Sequence, residues 1–477
     1  MTGRTLVIIA LGAFVTTLDN TIVAAGAPSI AADFGLGLGA LQWVALGYML
    51  PFAGLLPVAG RLVDRWGRRP TLSAGLLAFG AGAAAGGVAG SAGLLVAARV
   101  LQGTAAAFLV PGLLSLLRSN LGTRGRTLGA AVWTASLAAA LALGPALGGL
   151  LSEYLGWGWI FFANLPFVAV MLVLLPSTVP RVRDPDGPRP PVASMAVVTA
   201  SLVLLTAALA ELGDHLRAGI ALLAAGSALG GWFVLRERRA PARLVPAALT
   251  GNRVFTGSLA VQVLWGLGIS GIVFFTPLLH QEFLGLGPVR AGLPLAAVAV
   301  AVAAAAPLVP RAVTAFGPHR TVAAGLAVVA AGLGALAVVN HVPALGPRLP
   351  ALVLIGAGSA FTTPSTSHAL DVVAQRHSGT ASGLLTASRE LASALGVALI
   401  GAVLTAVRAV RLGSGAPAGE ALADGYTAGL LAAAAATLAG ALLALRVSRV
   451  IPPRSRRRVT NTRCRNSFAR EHAESPD

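Results

Sequence analysis

The chain has 477 residues, of which 56% are hydrophobic and 11% charged, and its mean hydropathy is +0.80. A soluble domain carries roughly 25% charged residues, so this composition excludes one and calls for a bilayer. The formal net charge is +18 and every basic residue is arginine; with no lysine there is no phosphate-binding P-loop, which excludes ATP hydrolysis by that route.

A helix needs about 20 apolar residues to cross a bilayer. The first such segment, 5–32, contains TTLDNTIVAAGAP (16–28) with Asp19 near mid-depth. An ionised carboxylate there costs roughly 2.5–3.5 kcal/mol on insertion scales. Thr16, Asp19 and Asn20 fall on one helix face. Such a stripe suits a group that takes up and releases a proton; the alternative is an interhelical hydrogen bond that only fixes packing.

The second segment, 40–60, runs into GRLVDRWGRRP (60–70). Arg61, Arg65, Arg68 and Arg69 are expected as membrane-edge anchors. Asp64 is not explained that way, and suggests a charge pair made in one conformation and broken in another. After 71–90, the segment 94–117 places Arg99, Gln102 and Gly103 on one face. Arg99 is either a charge partner for the proton site or an arginine snorkelling to the headgroups. In 127–151, LGPALGGLL (143–151) combines Pro145, which kinks a helix, with Gly144, Gly148 and Gly149, which admit a close neighbour; we expect a bent, tight seam. The segment 157–176 completes a set of six.

Two further segments, 193–212 and 216–235, are divided only by GDHLR. A second set follows at 254–281, 291–309, 321–340, 349–369, 380–407 and 425–445. Arg389 and Glu390 lie within 380–407. As helix neighbours they point about 100° apart and need not pair. Glu390 is a second candidate proton carrier, or a contact for a cationic substrate; the alternative is a self-compensating pair that eases insertion. His280, Glu282 and His368 sit near segment ends and read as interface positions. Trp43, Tyr48, Trp133, Trp265, Phe274 and Phe275 are candidates to stack on an aromatic compound, although membrane aromatics more often pack or mark interfaces.

With the N-terminus inside, the outer loops hold only Arg217, Arg290, Arg348, Arg408 and Arg411. Arg99 and Arg389 fall within segments, and all other arginines fall inside. This asymmetry follows the positive-inside rule and predicts an even span number with both termini cytoplasmic. The high pI therefore reflects topology, and no nucleic acid is expected. Cys464, the single cysteine, lies in an Arg-rich tail, 446–477, expected to be a disordered cytoplasmic stretch near anionic lipid.

PRAVTAFGPHR (310–320) matches GRLVDRWGRRP when Gly67 is aligned with Gly317: Arg61 meets Arg311, Val63 meets Val313 and Trp66 meets Phe316. Duplicated halves are how many secondary transporters are built. The 60–70 loop resembles the loop signature of the major facilitator superfamily. LDNTIVAAGAP (18–28), ARVLQGTAAA (98–107), LGPALGGLL (143–151), GWGWIFFANLPF (156–167) and ASRELASALGVALIGAVL (387–404) resemble motifs of its fourteen-span drug–proton antiporters. Ala24, Ala140, Gly158 and Glu390 depart from those motifs and leave the substrate open.

The resemblance implies an all-α integral membrane protein with 14 transmembrane helices: two six-helix bundles plus two extra central helices. It sets an N-terminal bundle at 1–176, the extra pair at 177–252, a C-terminal bundle at 253–445 and the tail beyond. The implied function is proton-coupled export of amphipathic small molecules, antibiotics or other drugs, across the cytoplasmic membrane by alternating access. Asp19, Arg99 and Glu390 are the proton-coupling candidates, and Thr16, Asn20, Gln102 and Arg389 the cavity candidates. Gly60, Asp64, Arg65, Gly67 and Arg68 would form a conformational latch, and Gly144, Pro145, Gly148 and Gly149 the antiporter-motif helix. The expected partners are a small-molecule substrate, protons and lipid, with no cofactor, metal or ATP. A dedicated exporter or importer of one metabolite, such as a sugar or siderophore, remains the rival; a membrane enzyme or sensor is disfavoured by short loops and the absence of H-E-x-x-H.

Overall fold

A computed structural model describes residues 2–119, 123–179, 192–211, 216–239, 245, 247–374 and 378–448. Among them every regular element is a helix. The first set comprises α1 (Thr2–Phe34), α2 (Leu38–Trp66), α3 (Arg68–Gly87), α4 (Ala92–Ser119), α5 (Thr123–Tyr154), the single turn α6 (Trp159–Phe162) and α7 (Leu165–Thr178). Next come α8 (Val192–Glu211), α9 (Leu216–Arg239) and the short α10 (Ala247–Thr250). The last set starts with α11 (Arg253–Glu282). One interrupted rod follows, made of α12 (Pro288–Gly292), α13 (Ala296–Ala305) and α14 (Val309–Phe316). Pro294 and Pro307, which cannot donate a backbone hydrogen bond, sit in the 3-10 turns that join its pieces. Then come α15 (Pro318–Val339), α16 (Arg348–Ala360), α17 (Pro364–Asp371), α18 (Ser378–Gly413) and α19 (Ala418–Ser448).

Eleven of the described helical stretches are long and apolar enough to cross a membrane. Three of the fourteen expected segments fall outside that number for local reasons. The 71–90 segment is the glycine-diluted α3. α8 is a 20-residue helix, Val192–Glu211, whose fully described apolar stretch is Ala196–Leu209. The 349–369 segment is split into α16 and α17 just before Pro364.

α1 packs along α5, and both α2 and α3 along α4, with α7 closing over α3 and α1. In the last set α11 packs on α18 and α19, α15 on α16 and α19, and α13 on α16. The two sets meet along α2 and α18, where α5 reaches α12 and α13, and where α1 reaches α11. α8 and α9 form a pair in which Ser201 Oγ donates to the Gly226 carbonyl at 2.8 Å, and α8 leans on both α2 and α18. The outer face of α9 exposes Ile220, Leu223, Trp232 and Leu235, a surface suited to lipid.

The duplication is present in the backbone. Gly67 and Gly317 join α2 to α3 and α14 to α15 at φ of +94° and +81°, a region open to glycine and strained for other residues. Each glycine N–H donates to the valine carbonyl four positions before it, Val63 at 3.0 Å and Val313 at 2.9 Å. Each glycine carbonyl accepts a threonine hydroxyl, Thr71 at 2.7 Å and Thr321 at 2.8 Å. Gly35 and Gly285, both at φ +63°, repeat at the same sequence separation.

Candidate functional site

Asp19 lies on α1 with no exposed side-chain surface, and its two oxygens collect donors from the rest of the first set. Oδ2 accepts from Arg99 Nη1 of α4. Oδ1 accepts from Gln102 Nε2 and from Asn164 Nδ2, each at 2.9 Å. Arg99 Nη1 also donates to Gln102 Oε1 at 3.0 Å, and its Nε to the Val44 carbonyl of α2 at 3.0 Å. The guanidinium carbon stands 4.6 Å from the centre of the Tyr48 ring, whose hydroxyl donates to the Thr16 carbonyl at 3.1 Å. Arg99 Nη2 and Asn164 Oδ1 have no hydrogen-bond partner.

Asp19, Arg99 and Gln102 are therefore brought together. Arg99 does not snorkel: its side chain is fully enclosed and turned inward. Asn164 was not singled out by the sequence reading. Its signal is an amide inside an apolar segment, which demands a partner for the same reason Asp19 does. Tyr48 belongs here too, stacked on Arg99 and fully buried, and not on a ligand.

The glycine motif of α5 makes two close approaches. A Cβ at Gly148 would stand 2.3 Å from the Ile22 carbonyl oxygen of α1. One at Gly149 would stand 2.6 Å from the Pro288 carbonyl oxygen of α12, in the other set. Gly144 faces Thr21 of α1 in the same way, and the Pro145 carbonyl touches Gly292. Nearby, Glu153 Oε2 accepts from the Val289 N–H at 3.1 Å, and Gln281 of α11 donates to the Ala25 carbonyl of α1 at 3.2 Å. Gly144 and Gly148 pack α5 on α1 within the first set, while the contacts of Gly149, Pro145, Glu153 and Gln281 join the two sets at the end where α1, α5 and α11 finish.

Between that seal and the opposite end lies a cavity of about 340 Å³. Its apolar wall includes Pro145, Trp265, Ile269, Val273, Val298 and Ile355. Polar lining comes from hydroxyls, from Gln262 and from Arg389. Of the four residues expected to face a cavity, Arg389 does. Gln102 is turned to Asp19, Thr16 gives its hydroxyl proton to the Gly12 carbonyl at 2.8 Å, and Asn20 is half-buried outside the lining.

Arg389 Nη2 and Glu390 Oε1 pair at 2.9 Å. Of the two arrangements left open by the sequence, the paired one is present: two long side chains bridge the angular offset of their Cβ atoms. Two readings change. His280 is fully buried, with Nδ1–H donating to the Ala291 carbonyl at 2.8 Å. Arg348, counted among outer-loop arginines, is fully buried, and its Nη2 donates to the carbonyls of Asn340 at 2.6 Å and Val342 at 3.3 Å.

The proposed latch is described only in part. Gly67 makes the turn, Arg65 and Arg68 are half-buried beside it, and Gly60 lies on α2. The Asp64 side chain lies outside the described residues, as does the tail beyond Ser448.

A family model described as the Major Facilitator Superfamily matches residues 9–397. The chain belongs to this superfamily. It is 34% identical over 407 residues to the multidrug efflux pump LfrA of Mycolicibacterium smegmatis, covering 84% of this chain and 80% of that one. It is 33% identical over 460 residues to the puromycin resistance protein pur8 of Streptomyces alboniger, covering 92% and 90%. Solved transporter structures share the fold. One is an auto-inhibited POT-family peptide transporter, with TM-score 0.70, 16% identity and coverage of 96% and 98%. Another is a bacterial homologue of the human lysosomal transporter Spinster in an inward-facing, unoccupied conformation, with TM-score 0.67, 17% identity and coverage of 94% and 97%. Membership makes this chain a non-enzymatic membrane transporter acting on small molecules.

Proposed function

We propose that this superfamily member is a proton-coupled antiporter that exports amphipathic small molecules across the cytoplasmic membrane. It has fourteen spans and cytoplasmic termini. Residues 1–176 and 253–445 form the two moving bundles, and 177–252 a pair of helices beside them. The observation that carries this reading is the separation of two sites: a fully enclosed carboxylate in the first bundle, and a largely apolar cavity lying mostly against the second. The efflux and resistance proteins among its relatives support the direction.

Protonation of Asp19 would remove the counter-ion of Arg99. A buried cation without a partner is costly, by about 3–5 kcal/mol when one member of such a pair is lost. The cluster is thus unstable in its present form once a proton arrives, and relief requires α1 and α4 to shift. α1 is also a wall of the seal, through the Ala25 carbonyl that accepts from Gln281 of the other bundle, and it packs through Ile22 on α5, whose Gly149 meets Pro288. A proton at Asp19 therefore biases the contact that holds the bundles closed at one end. Each charge moved across 100 mV supplies about 2.3 kcal/mol, and about 1.4 kcal/mol is tenfold in an equilibrium constant. A potential of about 150 mV then sustains a gradient of roughly a few hundred-fold per proton.

The test is drug susceptibility in an efflux-deficient bacterial host carrying empty vector, wild type or Asp19→Asn at equal membrane abundance. Export through Asp19 predicts resistance to part of a chemically mixed antibiotic panel in the wild type only. Resistance retained by the variant removes Asp19 from the mechanism. No difference between wild type and vector removes drug export.

A further inference from the structure

The cavity has a sign. Among its described lining residues Arg389 is the one charged group, and its side chain is 45% exposed where that of Glu390 is 13%. Glu390 does not line the cavity. It shares a helix face with Gly401, about three turns further on, where a Cβ would meet the Gln42 side chain of α2, and α18 packs along α2. The ion pair thus straddles α18, guanidinium on the cavity side and carboxylate on the side of α2, the helix that carries Tyr48.

The neutral polar groups add a pattern of their own. Ser359, Thr362 and Thr363 give their hydroxyl protons to carbonyls of their own segment, Ile355 at 2.7 Å, Ser359 at 2.8 Å and Ala360 at 2.8 Å. Ser270 does the same with Gly266 at 3.0 Å. These oxygens turn lone pairs to the cavity. The indole Nε1 of Trp265 is buried and has no hydrogen-bond partner, so it stands as an uncommitted donor in the same wall. A ligand that satisfies this wall has an apolar body with a ring to lie against Trp265, hydroxyl donors and an anionic acceptor.

We propose that the cavity selects hydroxylated aromatic compounds bearing an anionic group, and that this group binds Arg389 in competition with Glu390. The inference rests on the export reading for the direction of movement, but not for binding. An anion on Arg389 breaks the pair and leaves Glu390 as a free carboxylate on the side of the Tyr48, Arg99 and Asp19 cluster. Occupancy of the substrate site is thereby reported to the proton site as a change in charge. An organic cation gains nothing from this wall, because the nearest carboxylate is already held.

Fluorescein and rhodamine 123 share a xanthene ring system and carry opposite charge at neutral pH. Their binding to the full chain in lipid nanodiscs is read by fluorescence anisotropy, with empty nanodiscs correcting for partition into lipid. A hydrogen bond to a charged group in such a site corresponds to about tenfold or more in affinity. The wild type should bind fluorescein at least about tenfold more tightly than rhodamine 123. Arg389→Gln should erase that preference, Arg389→Lys should keep part of it, and Glu390→Gln should tighten fluorescein by removing its competitor. Rhodamine 123 binding as tightly as fluorescein, or fluorescein binding unchanged in Arg389→Gln, overturns the proposal. Dye efflux from loaded cells separates the two readings. The expected binding pattern without efflux supports the cavity assignment while the export reading fails. Efflux of rhodamine 123 that is indifferent to Arg389→Gln overturns the cavity assignment and leaves export standing.

Discussion

Asp19 and Arg99, 80 positions apart in sequence, form an ion pair in which neither side chain has any exposed surface. Gln102 and Asn164 occupy the other carboxylate oxygen, so the pair is neutral, hydrogen-bonded and sealed. Such a pair is held by mutual compensation of its two charges. Removing one member strands the other in low dielectric, at about 3–5 kcal/mol. We expect Arg99→Leu and Asp19→Leu each to lower the thermal stability of the detergent-solubilised protein strongly. The double variant, which leaves no buried charge, should recover most of the loss while remaining unable to transport. Additive losses in the double variant would show that the two residues are not energetically coupled.

Asn164 should matter in proportion to the one hydrogen bond it gives Asp19. Asn164→Ala removes that donor at about 1–3 kcal/mol, with no charge left unpaired. Its unfolding midpoint should fall less than those of the Asp19 and Arg99 single variants. An effect as large as theirs would mean that Asn164 positions α6 and α7 in some further way.

The two approaches of the α5 glycines predict different outcomes for the same substitution. Gly148→Ala acts within one bundle, against the Ile22 carbonyl, and should lower stability. Gly149→Ala acts between bundles, against Pro288, and should loosen the seal instead. With Cys464 replaced by serine, a cysteine at Gln281 reports this through labelling by a membrane-impermeant maleimide. Faster labelling in Gly149→Ala, and not in Gly148→Ala, is the expected result.

Gly67 and Gly317 carry the same positive φ at matching positions of the duplication. Both also have an extended ψ, 143° and 162°, outside the left-handed helical region, so alanine at either should cost about 1–3 kcal/mol, seen as similar falls in the thermal unfolding midpoint. Unequal falls would show that one of the two turns relaxes to a different backbone.

What the sequence revealed and what it hid follow from one property of the lipid-embedded chain. Polar side chains are so few that each stands out, which is why Asp19, Arg99 and Gln102 were legible as a group. Asn164 met the same criterion and was passed over because it sits between two aromatics and a proline, in a run that looks like a segment end. The burial of Arg348 was not legible because a short proline-containing loop gives no sign of whether its arginine turns out to water or in beneath the next helix. The Arg389–Glu390 pair was left as one of two alternatives because helical angles describe Cβ directions, and long side chains are not bound by them. Repeated glycines marked the duplicated turn correctly, since positive φ leaves glycine little competition. The division of 349–369 into α16 and α17 was signalled by Pro364 within the polar run TTPSTSH (362–368), which interrupts a segment whose first half is apolar enough to be read as continuous.

The central claim is that Asp19 links proton movement to substrate movement. Wild type and Asp19→Asn are reconstituted into liposomes enclosing a pH-sensitive dye, and a gradient is imposed of the compound against which the wild type gives the strongest resistance. The account predicts that the wild type moves protons against the flow of that compound. Asp19→Asn should exchange labelled for unlabelled compound and move no protons. Proton movement at the wild-type rate in Asp19→Asn would contradict it.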